Sequence, residues 1–154
     1  TLTEATRRVA DRWSEEGAES VTVSVTGDAQ RLHPSAEVTL LRTTQEALTN
    51  VRKHANAGHV NVTLTYMEDQ VVLDVQDDGA GFDPAGPADR PGNEALNGFG
   101  LTAMRQRVEQ LGGRLIIESA TGDGTTLVVE IPVHGQQDDT GLETGLQPSP
   151  GRTR

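Results

Sequence analysis

The stretch "VNVTLTYMEDQVVLDV", residues 60–75, decides the fold class. Val60, Val62, Leu64 and Tyr66 alternate with polar residues. "MEDQ" is a turn, and Val71, Leu73 and Val75 then share one face again. A period of two puts each apolar set on one side of an extended chain, so this segment predicts a two-stranded hairpin. Further strands lie on both sides of it. "VTVSVT", 21–26, alternates strictly, and "RLIIES", 114–119, with "TLVVEIPV", 126–133, predicts a closing hairpin across "TGDGT".

Three segments read as helices. Residues 1–17 carry Val9, Ala10 and Trp13 before Gly17. "HPSAEVTLLRTTQEALTNVRKHANA", 33–57, has Pro34 and Ser35 as a start signal and Gly58 as a stop. "LTAMRQRVEQLGG", 101–113, strings Leu101, Met104, Val108 and Leu111 on one stripe before Gly112. Helices and paired strands without regular βαβ alternation point to an α+β fold. The expected sheet is antiparallel or mixed, with helices on one face and water on the other.

The chain has 154 residues, a length that suits one domain with a proper core. No run of about 18 apolar residues occurs, so nothing in the sequence reads as a membrane helix, and the first residues lack the apolar centre of a secretory signal. Cysteine is absent, which removes disulfides and thiolate metal sites. The formal charge of −10 and the lack of a Lys/Arg run argue against nucleic acid as a partner. Lys53 is the only lysine among 13 basic residues. From residue 135 onward the chain is Gln, Asp, Gly, Pro and Ser with little to bury, and residues 135–154 read as a disordered tail.

Placed about 100° apart, the residues of the long helix separate into two faces. Val38, Leu41, Leu48, Val51 and Ala55 gather on one side, and Glu46, Asn50, Lys53 and His54 on the other. A solvated face is the simplest account of the second set. Asn in mid-helix weighs against it, because its amide competes for backbone hydrogen bonds. Carboxylate, amide and ammonium together also suit Mg²⁺ with phosphate, since Mg²⁺ needs only one or two protein oxygens and lysine supplies a point charge. His54 and His59 are five apart, on different faces, and make no zinc pair.

Two glycine-spaced segments follow. "QDDGAGFDP", 76–84, runs straight out of the second hairpin strand, but its acids do not fit a calcium loop. "GFGLTAM", 98–104, places two glycines before a helix start, where free N–H groups favour an anion. It is neither a Rossmann fingerprint nor a Walker A loop. Residues 79–100 between and around them are rich in Gly and Pro and lack periodicity, as expected of a functional lid or a disordered loop.

In their fixed order, "QEALTNVRKHANA", "DDGAGF", "GFGLTAM" and "GDGTTLVVEIP" resemble the ATP-binding domain of the GHKL family. That family includes sensor histidine kinases, gyrase-type topoisomerases, heat-shock chaperone ATPases and mismatch-repair ATPases. The wording is most similar to sensor histidine kinases of the nitrate-sensor type. The resemblance covers about residues 35–133. It implies a Bergerat-type two-layer α/β sandwich, a mixed, mostly antiparallel sheet under about three helices, with ATP and Mg²⁺ bound. It implies that Asn50 ligates Mg²⁺, that Glu46 supports the metal or its water, and that Lys53 and His54 lie near the phosphates. Asp77 would accept from the adenine amino group, with Gly79 and Gly81 letting the backbone approach the ring. Gly98 and Gly100 would hinge the lid and meet the phosphates, Leu101 would line the nucleotide site, and Thr125 would stand near the adenine end.

None of His33, His54, His59 and His134 is followed by an acidic residue, as the family's phosphoacceptor normally is. The resemblance therefore implies a catalytic domain, residues 21–134, that phosphorylates a histidine on a separate dimerisation domain. Residues 1–20 read as the helix joining that absent region, and a response regulator would lie downstream. A free-standing GHKL serine kinase or ATPase, with Glu46 activating the attacking hydroxyl or water, is the competing enzyme reading. A nucleotide-sensing module without chemistry is the non-enzymatic one. The resemblance also implies a cytoplasmic domain without direct membrane contact, and it leaves anchorage of the full-length kinase open.

Overall fold

The computed structural model describes residues 1–83 and 99–133. The expected tail, most of the expected lid and Gly98 lie outside the described residues. Among these residues the elements run α1 (Leu2–Glu15), β1 (Ser20–Thr26), α2 (Pro34–Asn50), a π-helical turn (Val51–Ala55), β2 (His59–Tyr66), β3 (Gln70–Asp77), α3 (Phe99–Gln110), β4 (Arg114–Ser119) and β5 (Thr125–Pro132).

The strands form one five-stranded sheet in the order β1-β2-β3-β5-β4. β1 and β2 are parallel, joined through α2, and the other three pairs are antiparallel. The sheet is thus mixed and mostly antiparallel, as the family resemblance implies. Val60, Val62 and Leu64 of β2 and Val71, Leu73 and Val75 of β3 are buried on the face that the helices cover. The opposite face is polar over β1 and β2. There His59 sits between Ser20 Oγ (2.6 Å from Nδ1) and Thr22 Oγ1 (3.1 Å from Nε2), so this histidine ties the two parallel strands together.

The core-facing side differs from the expected one only in the first half of α2, since Leu48, Val51 and Ala55 of the expected set are buried. Val38 is 63% exposed and Leu41 is half-buried, whereas Ala36, Leu40, Thr43, Thr44, Ala47 and Leu48 are buried. Three threonines, Thr39, Thr43 and Thr44, hid this stripe, because a period count treats them as polar. Thr44 Oγ1 donates to the Leu40 carbonyl at 2.9 Å, and that bond lets its hydroxyl enter the core without an unmet donor. The helix also ends before the expected Gly58. Asn56 adopts a left-handed conformation (φ 50°, ψ 42°) and closes the π turn, a conformation that Asn tolerates better than most residues.

α1 opens with a capping box between Thr1 and Glu4 and packs its Leu2, Ala10 and Trp13 into the same core. Its C-terminal end grips the π turn. Trp13 Nε1 donates to the Leu48 carbonyl at 2.9 Å. The Arg52 guanidinium stacks on the Trp13 ring, 4.3 Å from its centroid. Arg52 also donates to the Trp13 carbonyl and pairs with Glu19 (3.2 Å) and Glu16 (3.7 Å). A π turn carries one extra residue per turn, and such turns gather at functional sites. This one leads directly from Asn50 to His54. Among the described residues, no helix is long and apolar enough to cross a membrane.

Candidate functional site

A cleft open to solvent lies between the end of α2, the π turn, the start of α3 and the adjoining ends of β3, β4 and β5. Val75, Leu101, Ile117 and Leu127 give it apolar walls, Phe82 lines it from the loop after β3, and Asn50, His54, Asp77 and Thr125 bring polar groups to it.

Asp77 is the last residue of β3, and alternation places its side chain on the covered face with Val75 and Leu73. It is 6% exposed. Burial pushes its carboxyl above the ordinary value, the backbone N–H groups of Gly79 and Thr125 oppose that shift, and neighbouring Asp78 adds to it. Gly79 N–H donates to Asp77 Oδ1 at 2.9 Å. A buried carboxylate with lone pairs left at a cavity wall is equipped to accept a hydrogen bond from a ligand.

The neighbouring Asp78 points the other way. Its Oδ1 accepts the backbone N–H groups of Gly58 (2.9 Å) and His59 (3.0 Å), which hold its carboxyl below the ordinary range. Successive residues of a strand project to opposite faces, so the two aspartates divide their work. One faces the cavity, and the other clips the start of β2 to the end of β3.

Gly79 and Gly81 are required by the protein itself. A Cβ at Gly79 would collide with the Ala55 carbonyl oxygen, where Ala80 N–H bonds at 2.7 Å. Gly81 has φ +63° and is pressed against the Ala120 and Gly124 carbonyls. Gly124 has φ +73°, and a Cβ there would meet the Asp77 carbonyl. Both glycines are thus needed where the loop after β3 packs on the end of the π turn and on the β4–β5 turn, and Gly81 also lines the cavity.

The four expected helix residues do not act as one patch. Asn50 and His54 line the cavity. Lys53 is exposed and is not among the described lining residues. Glu46 is committed elsewhere: its Oε2 lies 2.5 Å from Arg107 Nη2 on α3, and Oε1 lies 3.5 Å from Arg42 Nε. Leu101 lines the cavity, and Gly100 falls in the first turn of α3.

Two residues that the sequence reading passed over are part of the setting. Arg107 ties α3 to α2 through Glu46. Ser119, at the end of β4, lies 2.9 Å from Phe82 N, 3.0 Å from the Gly124 carbonyl and 2.8 Å from Thr125 Oγ1. A polar residue at a core-facing strand position was a visible signal for Ser119. Arg107 offered none, since its partner is 61 residues away.

No group of three or more His, Cys, Asp or Glu that could hold a metal exists among the described residues. The donor set fits a Mg²⁺ held mainly by phosphate oxygens and water, with one amide oxygen from Asn50, rather than a protein cage.

The family model described as histidine kinase-, DNA gyrase B- and HSP90-like ATPase matches residues 35–135. The chain is 36% identical over 107 residues to the signal transduction histidine-protein kinase/phosphatase DegS of Brevibacillus brevis, covering 70% of this chain and 26% of that protein. It is 39% identical over 105 residues to UhpB, of the same description, from Salmonella typhimurium, covering 68% and 19%. The chain therefore spans about a quarter or less of the length of these relatives. Among solved structures, the histidine kinase domain of the Erythrobacter litoralis EL346 blue-light activated kinase superposes with a TM-score of 0.66 at 25% identity, covering 86% of this chain and 61% of that one. The catalytic domain of histidine kinase ThkA gives 0.66 at 16% identity, covering 86% and 92%, a likeness of fold.

Proposed function

This chain belongs to the histidine kinase-, DNA gyrase B- and HSP90-like ATPase family, and from that premise we propose that it is the ATP-binding catalytic part of a sensor histidine kinase. It delivers the γ-phosphoryl group of ATP to a histidine on a separate dimerisation domain, from which a response regulator takes it. The observation that carries this reading is the buried Asp77 carboxylate in the wall of an apolar cleft that Asn50 and His54 also line.

The base of ATP enters between Val75, Ile117, Leu127 and Leu101, and its amino group donates to Asp77. Asn50 and His54 then face the phosphate end. Asn50 would hold Mg²⁺, which would supply positive charge to the phosphates. Lys53, exposed beside them, supplies positive charge to a phosphate. Gly100, in the first turn of α3, would present backbone N–H to the phosphates. Catalysis is then positioning and charge stabilisation, with the acceptor imidazole as the nucleophile, so no strong base is required here. Glu46 fits that reading, because its carboxylate is paired with Arg107 and Arg42. This pairing weighs against a serine kinase or ATPase that would use Glu46 as base.

The test is to mix this chain with the dimerisation domain of its own kinase and γ-labelled ATP. Acid-labile label on the acceptor histidine is expected, lost in Asn50→Ala while ATP binding is largely kept. Steady ATP hydrolysis by the isolated chain, lost in Glu46→Gln, would favour the ATPase reading instead.

A further inference from the structure

Asn50, Val51, His54 and Ala55 line the cleft, and Arg52 is not among its lining residues. Its guanidinium lies against the end of α1 instead. There the Trp13 ring stacks on it, with Cζ 4.3 Å from the ring centroid. Arg52 Nη2 donates to the Trp13 carbonyl and lies 3.2 Å from Glu19 Oε2. Gly17 leaves room for this clasp, because a Cβ there would overlap both Glu19 Oε2 and Arg52 Nη2.

The same tryptophan acts on the hydrogen-bond ladder of the helix. In a regular α-helix the Leu48 carbonyl accepts the N–H four residues on, that of Arg52. Here it takes the Val51 N–H, shared with the Ala47 carbonyl, and the Trp13 indole N–H at 2.9 Å. An indole N–H only donates and a carbonyl only accepts, so the direction of that bond is fixed. A carbonyl has two lone pairs, and the donor that an α-helix would bring finds both engaged. From Val51 the turn is π-helical, and the Ala80 N–H holds its far end at the Ala55 carbonyl, at 2.7 Å. Groups outside α2 therefore hold the turn at both ends. Return to an α pitch would swing His54 round the axis relative to Asn50 by up to about 100°, the angle of one residue.

We propose that Arg52 and Trp13 are positioning residues: clasped behind the π turn, they hold it wide so that Asn50 and His54 both reach the cleft, and they tie the geometry of its phosphate end to α1. This rests on the adenine-nucleotide reading given above. The base end, built on Asp77 and the strands, does not depend on the clasp. The coupling is reciprocal: what the clasp gives to the binding of Mg²⁺ and phosphate, that binding returns to the clasp.

The test compares adenosine, which has no phosphate, with Mg-ATP by calorimetry, with thermal melts to establish folding. Arg52→Gln removes the guanidinium, and Trp13→Phe keeps a ring but loses the indole N–H. Each should weaken Mg-ATP roughly five- to tenfold, the worth of about one net hydrogen bond, and leave the adenosine Kd within about twofold. Gly17→Ala displaces only the tips of Arg52 and Glu19. It should move the two ligands apart in the same direction, and it carries the test if the other variants do not fold. Trp13 is the only tryptophan, so the parent has a single indole N–H to follow by hydrogen exchange. At matched saturation that proton should exchange more slowly with Mg-ATP than with adenosine. A contact that is merely structural lowers the folded fraction and weakens both ligands by one common factor. That result, an unchanged Mg-ATP Kd, or equal indole exchange in the two complexes overturns the inference and leaves the nucleotide reading intact. A parent that binds neither ligand overturns both.

Discussion

Asp77 and Thr125 face each other in register where β3 ends and β5 begins, with the Gly124 backbone packed against the Asp77 carbonyl. This contact brings a buried carboxylate and a hydroxyl to one cavity wall, and it is the point from which the site can be tested.

Asp77→Asn has opposite effects on binding and on stability. Burial raises the carboxyl above its ordinary 3.8, so the folded chain holds that proton more tightly than the unfolded one. The stability linked to Asp77 is full below pH 3.8 and is lost as pH rises through the folded value. Removing the charge cancels that loss. The ligand-free variant should melt higher than the parent at pH 7, with the gap closing as pH falls towards 3.8. Its ATP affinity should drop by about tenfold or more, since the amide oxygen stays with the Gly79 N–H and the amino group then meets an NH2 donor.

Asp78→Ala acts with the opposite sign. Its carboxyl is held below 3.8 by the His59 and Gly58 N–H groups, so its contribution is present above pH 3.8 and is lost as pH falls through the lower, folded value. Melting should show a destabilised variant at pH 7 whose deficit shrinks in acid. Nucleotide affinity should change little.

The glycines separate by environment. Gly81→Ala forces a left-handed alanine into two carbonyl oxygens and should cost about 3 kcal/mol or more. Gly122, with φ +89° and open space around it, should cost about 1 kcal/mol when made alanine. Urea unfolding of the two variants checks the order.

The corrected face of α2 gives a direct comparison. Leu40→Ala, at a fully buried position, should cost about 2–5 kcal/mol. Val38→Lys, on the exposed side, should stay within about 0.5 kcal/mol. The reverse order in denaturant midpoints would restore the face that periodicity alone selects.

A double-mutant cycle on Glu46 and Arg107 should give a coupling of about 1 kcal/mol, because both side chains are less than a third exposed and the contact is short. The Glu46–Arg42 cycle should give about 0.3 kcal/mol, as expected for an exposed i, i+4 pair.

What the sequence determined by itself is what depends on neighbours along the chain. Alternation in "VNVTLTY" and "VVLDV" set strands and their buried side, because side chains of an extended backbone project to opposite faces whatever surrounds them. The order of the Asn50, Asp77 and Gly98–Gly100 segments carried the family. Tertiary structure decided what depends on contact between distant residues. Thr44 entered the core with its hydroxyl bonded to the Leu40 carbonyl. Asp78, without an assigned partner in the sequence reading, found Gly58 and His59 about twenty residues back. Glu46 was taken by Arg107, and the helix widened into a π turn where Trp13 and Arg52 gripped it. Hydrogen bonds and ion pairs act over a few ångströms of space, and no local period records which distant donor will arrive there.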